Sequence, residues 1–435
     1  MNIKKEFRET LSLAIPMIFS QILGYAQAII DTVMAGRHSN LTLAGVALAM
    51  QVFSIIYVLS SGISIAFAAQ FSRYRGSDNR CEMRRDFQQG IWLFMALGVL
   101  TIFLTAISAY LPQWLGSKPE IAQEAKNYLL VIALPSGIFI FSELAIAFFQ
   151  GMALPRIINI AMCLTLPVNI LGNYIFLYIF DLGAAGMALS TGICYSVFSL
   201  GLFYVLFKSR LFKRYRLFQK LQLPDFRLIK KLFNKGIAIG VAIVLEIGMF
   251  SFIGFMASRE SALVASANQI AVNYISTIFM VPLGIASALT IRVAEARGKK
   301  DKVLIRDRAY MGIFLSLMIM AFAALITLIF REQIIQLYST DLEISKIAGK
   351  ILLIAAAFQI LDGLQISSVG VLRGLADTKI AMIFAIKGYW LIGMPIGLCF
   401  AYFFNFGFIG LWLGIAIGLA SFAVMAIMRV KRRVG

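Results

Sequence analysis

A chain of 435 residues that is 60% hydrophobic and 14% charged, with a mean hydropathy of +0.86, has too little polar surface for a water-facing domain of its size. Its formal net charge of +19 does not point to nucleic acid, because the basic residues sit in short loops between apolar runs and no folded basic domain remains once those runs are set aside. The four cysteines (Cys81, Cys163, Cys194, Cys399) form no CxxC or Cys/His cluster, which argues against a zinc-type site and leaves packing as their expected role.

Lys4, Lys5 and Arg8 precede the first apolar run. That run is longer than a signal peptide and lacks a small-residue cleavage site, so it reads as a retained first helix. Further runs follow, and the predicted spans are 10–36, 44–71, 87–111, 122–149, 157–179, 184–207, 235–257, 264–291, 309–330, 346–371, 380–404 and 408–428. About 20 residues cross a hydrocarbon core of roughly 30 Å. Several runs exceed that length, so tilt or protrusion is expected.

Lys and Arg are distributed unevenly between the two sides. The N-terminus, the even-numbered loops and the C-terminal tail carry 32 of the 40; the odd-numbered loops and adjoining helix ends carry 7, and Lys387 falls inside span eleven. That bias predicts cytoplasmic termini and supports an even span count. The longest loop, 208–234, is rich in Lys and Arg. It divides the chain into an N-lobe (1–207), a basic cytoplasmic linker (208–234) and a C-lobe (235–435), with the linker expected to be solvated and lipid-facing.

The two lobes resemble each other. GISIAFAAQFSRYRGSDN (62–79) matches GIASALTIRVAEARGKKD (284–301), placing Gly62, Ala66, Arg75 and Gly76 opposite Gly284, Ala288, Arg297 and Gly298 at a constant offset. QGMALPR (150–156) matches RGLADTK (373–379), and GAAGMAL (183–189) matches GFIGLWL (407–413). Three matches in one order go beyond the general enrichment of small residues in packed membrane helices. An even six helices per repeat gives both lobes one orientation. The expected fold is therefore an all-α polytopic membrane protein of about twelve helices in two parallel six-helix bundles, a transporter architecture.

Ionisable side chains deep in a bilayer cost at least about 2.5–3.5 kcal/mol on insertion scales and are usually functional or paired. Asp31, Glu246 and Asp362 lie well inside spans, with no Lys or Arg as an obvious partner at the same depth. At 1.5 Å per residue, Glu246 lies about 20 Å and Asp362 about 18 Å from the outer surface, so the two can sit level, while Asp31 is about 9 Å deep. Asn169 and Asn173 share one face of span five, and Thr191 lies in the outer half of span six. A carboxylate, amide carbonyls and a hydroxyl suit a hard cation such as Na⁺, and a proton on Asp31 could replace the ion. Buried Asn and Thr also serve as plain interhelical hydrogen-bond partners. Glu143 is a fourth candidate acid, with snorkelling as the alternative because it lies near the cytoplasmic end of span four; Lys387 is read as snorkelling, with a salt bridge to a carboxylate as the lesser reading, and His38 sits in the first outer loop. No GxxxxGK[ST] motif is present, so no ATP site is expected.

The residues also carry a family resemblance. LAIPMIFSQILGYAQAIIDTVMAGR (13–37), PVNILGNYIF (167–176), LEIGMFSF (245–252), ANQIAVNYISTIFMVPLGIASALTIRV (267–293) and FQILDGLQISSVGVLRGLADT (358–378) resemble helices one, five, seven, eight and ten of the MATE (multidrug and toxic compound extrusion) transporters. The joint presence of Glu246 and Asp362 resembles the NorM-like branch. This resemblance implies a cation site on Asp31, Asn169, Asn173 and Thr191, and a second on Glu246, Asp362 and Asp377. It further implies export of lipophilic organic cations in exchange for Na⁺ or H⁺ by a monomer in the bacterial inner membrane, with no cofactor and no catalytic residues. The branch lacking the C-lobe acids adds a second carboxylate on helix five; this chain has Ile170, Asn173 and Leu177 there. The rival function is a flippase for lipid-linked oligosaccharide precursors, which would favour a cationic cavity. A membrane enzyme would need a His/Asp or Cys cluster at bilayer depth, and a channel would not need two repeated lobes.

Overall fold

Long apolar runs leave the backbone no partner but itself, and the chain answers with helices. The computed structural model describes residues 3–435; the side chains of residues 3–5, 210 and 211, including Lys4 and Lys5 of the basic leader, lie outside the described set. Twelve helices among the described residues are long and apolar enough to cross a membrane. They are α1 (Glu6–His38), α2 (Asn40–Gly76), α3 (Arg80–Trp114), α4 (Pro119–Gly151), α5 (Pro155–Ile179), α6 (Gly183–Lys208), α7 (Phe226–Glu260), α8 (Ala262–Gly298), α9 (Lys302–Gln336), α10 (Leu342–Gly374), α11 (Thr378–Phe403) and α12 (Phe408–Val434). All twelve expected spans are present. Several run beyond the predicted bounds because their end turns are polar and capped rather than apolar.

The caps expose the repeat. Ser39 accepts the Thr42 amide at 2.9 Å to start α2, and Ser261, 222 residues on, accepts the Val264 amide at 3.1 Å to start α8. Asn79 caps α3 through the Glu82 amide at 3.1 Å, and Asp301, again 222 residues on, caps α9 through the Leu304 amide at 2.9 Å. Each such cap contributes about 1 kcal/mol. Left-handed residues recur in the same pattern. Asp78 and Lys300, Ala153 and Ala376, Asp181 and Asn405, and Gly183 and Gly407 all have positive φ. Side chains at three of these four pairs pay a steric penalty that glycine escapes, so the matched loops share a backbone path and not only small residues. A π-helical stretch also recurs, at Tyr174–Ile179 in α5 and Cys399–Phe403 in α11, with a further one at Ile386–Gly393.

The chain forms two compact units. The first is Ile22–Gly240; the second joins the segment up to Gln21 to Val241–Gly435. Their borders fall inside α1 and α7 rather than in the loop that divides the repeat. Glycine explains both placements. A Cβ on Gly62 of α2 would stand 2.2 Å from the Gly240 amide nitrogen, so only glycine admits the start of α7 there. Its repeat mate Gly284 of α8 would put a Cβ 2.6 Å from the Ile18 nitrogen, and it receives the start of α1. Ions reinforce the second packing. Glu6 pairs with Arg292 and accepts from Arg308 Nε at 3.0 Å, Glu9 lies 3.2 Å from Arg292, and Glu295 lies 3.2 Å from Arg308. Both arginines are buried.

The 208–234 connection departs from the expected solvated linker. Gln88 Nε2 on α3 donates to the carbonyls of Leu217 and Gln219 at 3.1 and 3.0 Å, Gln89 Nε2 to that of Leu223 at 3.0 Å, and Trp92 Nε1 to that of Gln222 at 2.9 Å. Phe212, Tyr215 and Leu217 are buried, the first two against Phe148. Apolar residues interleaved with the basic ones fasten the segment to the first unit. The cysteines also depart from expectation: Cys194 is buried, whereas Cys81, Cys163 and Cys399 are exposed.

Candidate functional site

In the first unit a polar cluster gathers where α1, α5 and α6 meet. Asp31 is 6% exposed, and Asn169 and Asn173 are fully buried. Asn173 Nδ2 donates to Asp31 Oδ1 at 2.6 Å and lies 3.4 Å from Asn169 Oδ1. The α helix gives way to π winding at Tyr174, directly after Asn173; such a change frees backbone groups and is common at functional positions. Around the cluster, Tyr178 donates to the Met34 carbonyl at 2.8 Å, and His38 Nε2 lies 2.8 Å from Asp181 Oδ1. These contacts tie the end of α1 to α5. Ser190 of α6 donates to the Asn169 carbonyl at 2.9 Å, and the adjoining Thr191 is buried on the same helix.

Asn173 Oδ1 and Thr191 Oγ1 are buried acceptors without a hydrogen-bond partner. Orphaned acceptors are costly and call for a ligand, water or ion. Together with the Asp31 carboxylate they supply oxygens of the type a hard monovalent cation takes. Asn169 contributes differently: its Oδ1 already faces an Asn173 donor, and its Nδ2 is unpartnered.

In the second unit Glu246 (α7), Asp362 (α10) and Tyr389 (α11) converge. Asp362 is 4% exposed, Tyr389 is fully buried and Glu246 is half-buried. Glu246 lies within electrostatic reach of Asp362 and faces the Tyr389 hydroxyl, which sits outside hydrogen-bonding geometry. Trp390 Nε1 donates to the Leu245 carbonyl at 3.1 Å and clips α11 to α7 beside the acid. Tyr389 lies in the π stretch Ile386–Gly393.

The sequence reading found no cation near these acids; the structure supplies one. Arg373 is 5% exposed and within electrostatic reach of Glu246. It stands just past the apolar run, where it reads as a loop residue, but α10 continues to Gly374 and holds it inside. Gln359 and Gln365 were also missed. Both are buried three residues either side of Asp362, on its helix face. That spacing was the available signal.

Asp377 is not brought to this cluster. Its carboxylate accepts from Arg429 and Arg433, each at 2.9 Å. It stands just before the start of α11, past the end of α10, which itself runs about 18 Å beyond Asp362 at 1.5 Å per residue. Glu143 departs from the snorkelling alternative, being 3% exposed and bonded by the Tyr57 hydroxyl at 3.1 Å. Lys387 is exposed on the surface of α11.

Comparison with known proteins agrees with this architecture. The MatE family model matches twice, over residues 16–175 and 238–399, once in each repeat. A probable multidrug resistance protein NorM of Xanthomonas campestris pv. campestris is 31% identical, over 98% of this chain and 94% of its own. The multidrug resistance protein NorM of Photobacterium profundum is 28% identical, over 99% and 96%. The crystal structure of a eukaryotic MATE transporter, AtDTX14, superposes with a TM-score of 0.89 at 20% identity, covering 99% of this chain and 96% of its own. Twelve apolar helices in a repeated fold, with acids buried among them, define an integral multi-pass membrane transporter rather than an enzyme. The chain belongs to the MatE family.

Proposed function

We propose that this transporter is a secondary antiporter that exports lipophilic organic cations, drugs among them, in exchange for Na⁺ or H⁺. The observation that carries the reading is the buried Asp31 carboxylate, held by the Asn173 amide whose own oxygen is left without a partner. The multidrug resistance names of its relatives support the substrate class. Basic loop distribution favours cytoplasmic termini, and the bacterial relatives favour an inner membrane.

Coupling follows from differential affinity. An ion that binds Asp31, Asn173 and Thr191 more tightly in one arrangement of the helices shifts the population toward it, and a substrate that prefers the other arrangement is displaced. Each inward charge releases about 2.3 kcal/mol per 100 mV, roughly fifty-fold in substrate concentration. Glu246 and Asp362 offer a second cation position, with Arg373 as a built-in competitor for the Glu246 charge. The test is efflux of a fluorescent organic cation from proteoliposomes under imposed Na⁺ or H⁺ gradients. Asp31→Asn should abolish the ion-driven component and Glu246→Gln should weaken it. Unchanged ion-driven efflux in both variants would sink the assignment.

A further inference from the structure

Glu143 is a buried acid that neither cation cluster uses. It lies in the interior of α4, is 3% exposed, and accepts the Tyr57 hydroxyl of α2 at 3.1 Å on Oε1. Ser64, also on α2, donates to its backbone carbonyl at 3.0 Å. Rings close the space around it. Tyr57 stacks on Phe139 at 5.7 Å, and Phe139 on Tyr195 of α6 at 4.1 Å, each pair near parallel. Tyr57 and Tyr195 are the titratable groups on this side of α4; among the described residues no Lys, Arg or His acts on the acid from α2, α3, α5 or α6.

An ionised carboxylate with one neutral hydroxyl donor, no cation and almost no water is expensive to bury. A proton removes the charge without removing the Tyr57 hydrogen bond: it binds Oε2 while Oε1 continues to accept. Release returns it to water, and the tyrosine keeps its own proton throughout. A glutamine would satisfy the same packing and hydrogen bond with no charge to manage, so the acid has a use that an amide lacks.

We propose that the Glu143 carboxyl is a proton-binding site of the first unit, separate from the Asp31 cluster. The proposal rests on the antiport reading only for the direction in which the proton travels. Tyr195 lies within electrostatic reach of Asp31, so the stacked rings Tyr195, Phe139 and Tyr57 run from the neighbourhood of one acid to the other.

The test is infrared difference spectroscopy of the full-length protein in liposomes between acid and alkaline conditions. Wild type should show a carboxylic C=O band that Glu143→Gln removes and Asp31→Asn retains. Tyr57→Phe should shift that band by deleting the hydrogen bond to Oε1. A Glu143→Gln spectrum that keeps every wild-type carboxylic band overturns the proposal. Should Glu143→Gln not fold, Tyr57→Phe decides, and a spectrum indifferent to that change overturns it too. Absence of ion-driven efflux in wild-type liposomes would count against the antiport reading and leave the infrared result standing.

Discussion

Asn173 donates to the carboxylate of Asp31 at 2.6 Å across 142 residues of sequence, joining α5 to α1 at the point where α5 turns to π winding. The amide is spent on the acid, while its own oxygen is left unpartnered. One residue thus orients the carboxylate and offers a ligand beside it. Asn173→Ala should remove a hydrogen bond to a charged group worth about 1.5–3 kcal/mol, or roughly 10- to 150-fold in ion affinity. Isothermal titration with Na⁺, and displacement of a bound fluorescent cation by Na⁺ or by acid, measure it; an affinity within twofold of wild type contradicts the site.

Arg373 is the counter-cation of the second unit. Replacing it with Met removes the positive charge within reach of Glu246 while keeping an unbranched stem. Cation binding in this unit should tighten, and stability should fall because Glu246 loses the one cation that, among the described residues, acts on it. Titration of Na⁺ into Arg373→Met on an Asp31→Asn background isolates the effect. Weaker binding there would show that Arg373 orders the site rather than competing for it.

Glu6 and Glu9 both face Arg292 but differ in burial. The side chain of Glu6 is 12% exposed and serves two buried arginines; that of Glu9 is 44% exposed and serves one. Glu6→Gln leaves buried guanidinium charge underpaired and should cost about 3–5 kcal/mol. Glu9→Gln should cost under about 1 kcal/mol. Thermal unfolding in detergent ranks the two, and equal losses would refute the assignment of Glu6 as the shared anion.

Glycines separate in the same way. Gly62→Ala and Gly284→Ala place a methyl against backbone at 2.2 and 2.6 Å, so helices must part. Each should destabilise the protein by about 1–3 kcal/mol, as overpacking does. Gly201 has nothing within 4 Å of its missing Cβ, and Gly201→Ala should stabilise by up to about 1 kcal/mol through helix propensity. The three midpoints in one unfolding assay give the comparison.

Hydropathy made the number of helices legible, because twelve apolar runs have no other way to bury their backbone in a bilayer. The repeat was legible in Gly62 and Gly284, and its confirmation came from caps and left-handed residues that no hydropathy window weighs. Asp31, Asn169 and Asn173 stood out as polar residues in apolar runs, and the structure brings them together. Arg373 did not stand out, since a basic residue after an apolar run reads as a loop anchor. Glu143 was legible as a candidate acid but not in its setting, since the Tyr57 hydroxyl of α2 that holds it comes from 86 residues away in the sequence. The unit borders inside α1 and α7 depend on which helix meets which glycine, a tertiary fact that local pattern does not contain.

The placement of Glu6 has a consequence for how the chain is made. Its partner Arg292 is 286 residues away. At about 5–20 residues per second, roughly 15–60 s pass between synthesis of the acid and arrival of its arginine. Throughout that interval the first turns of α1 must wait at the membrane surface with Glu6 and Glu9 unpaired, while residues up to Gly240 can already assemble. Glu6 and Glu9 are therefore made well before the arginines that lock them in place. A chain that stalls before α8 would leave Glu6 and Glu9 without the arginines that pair with them.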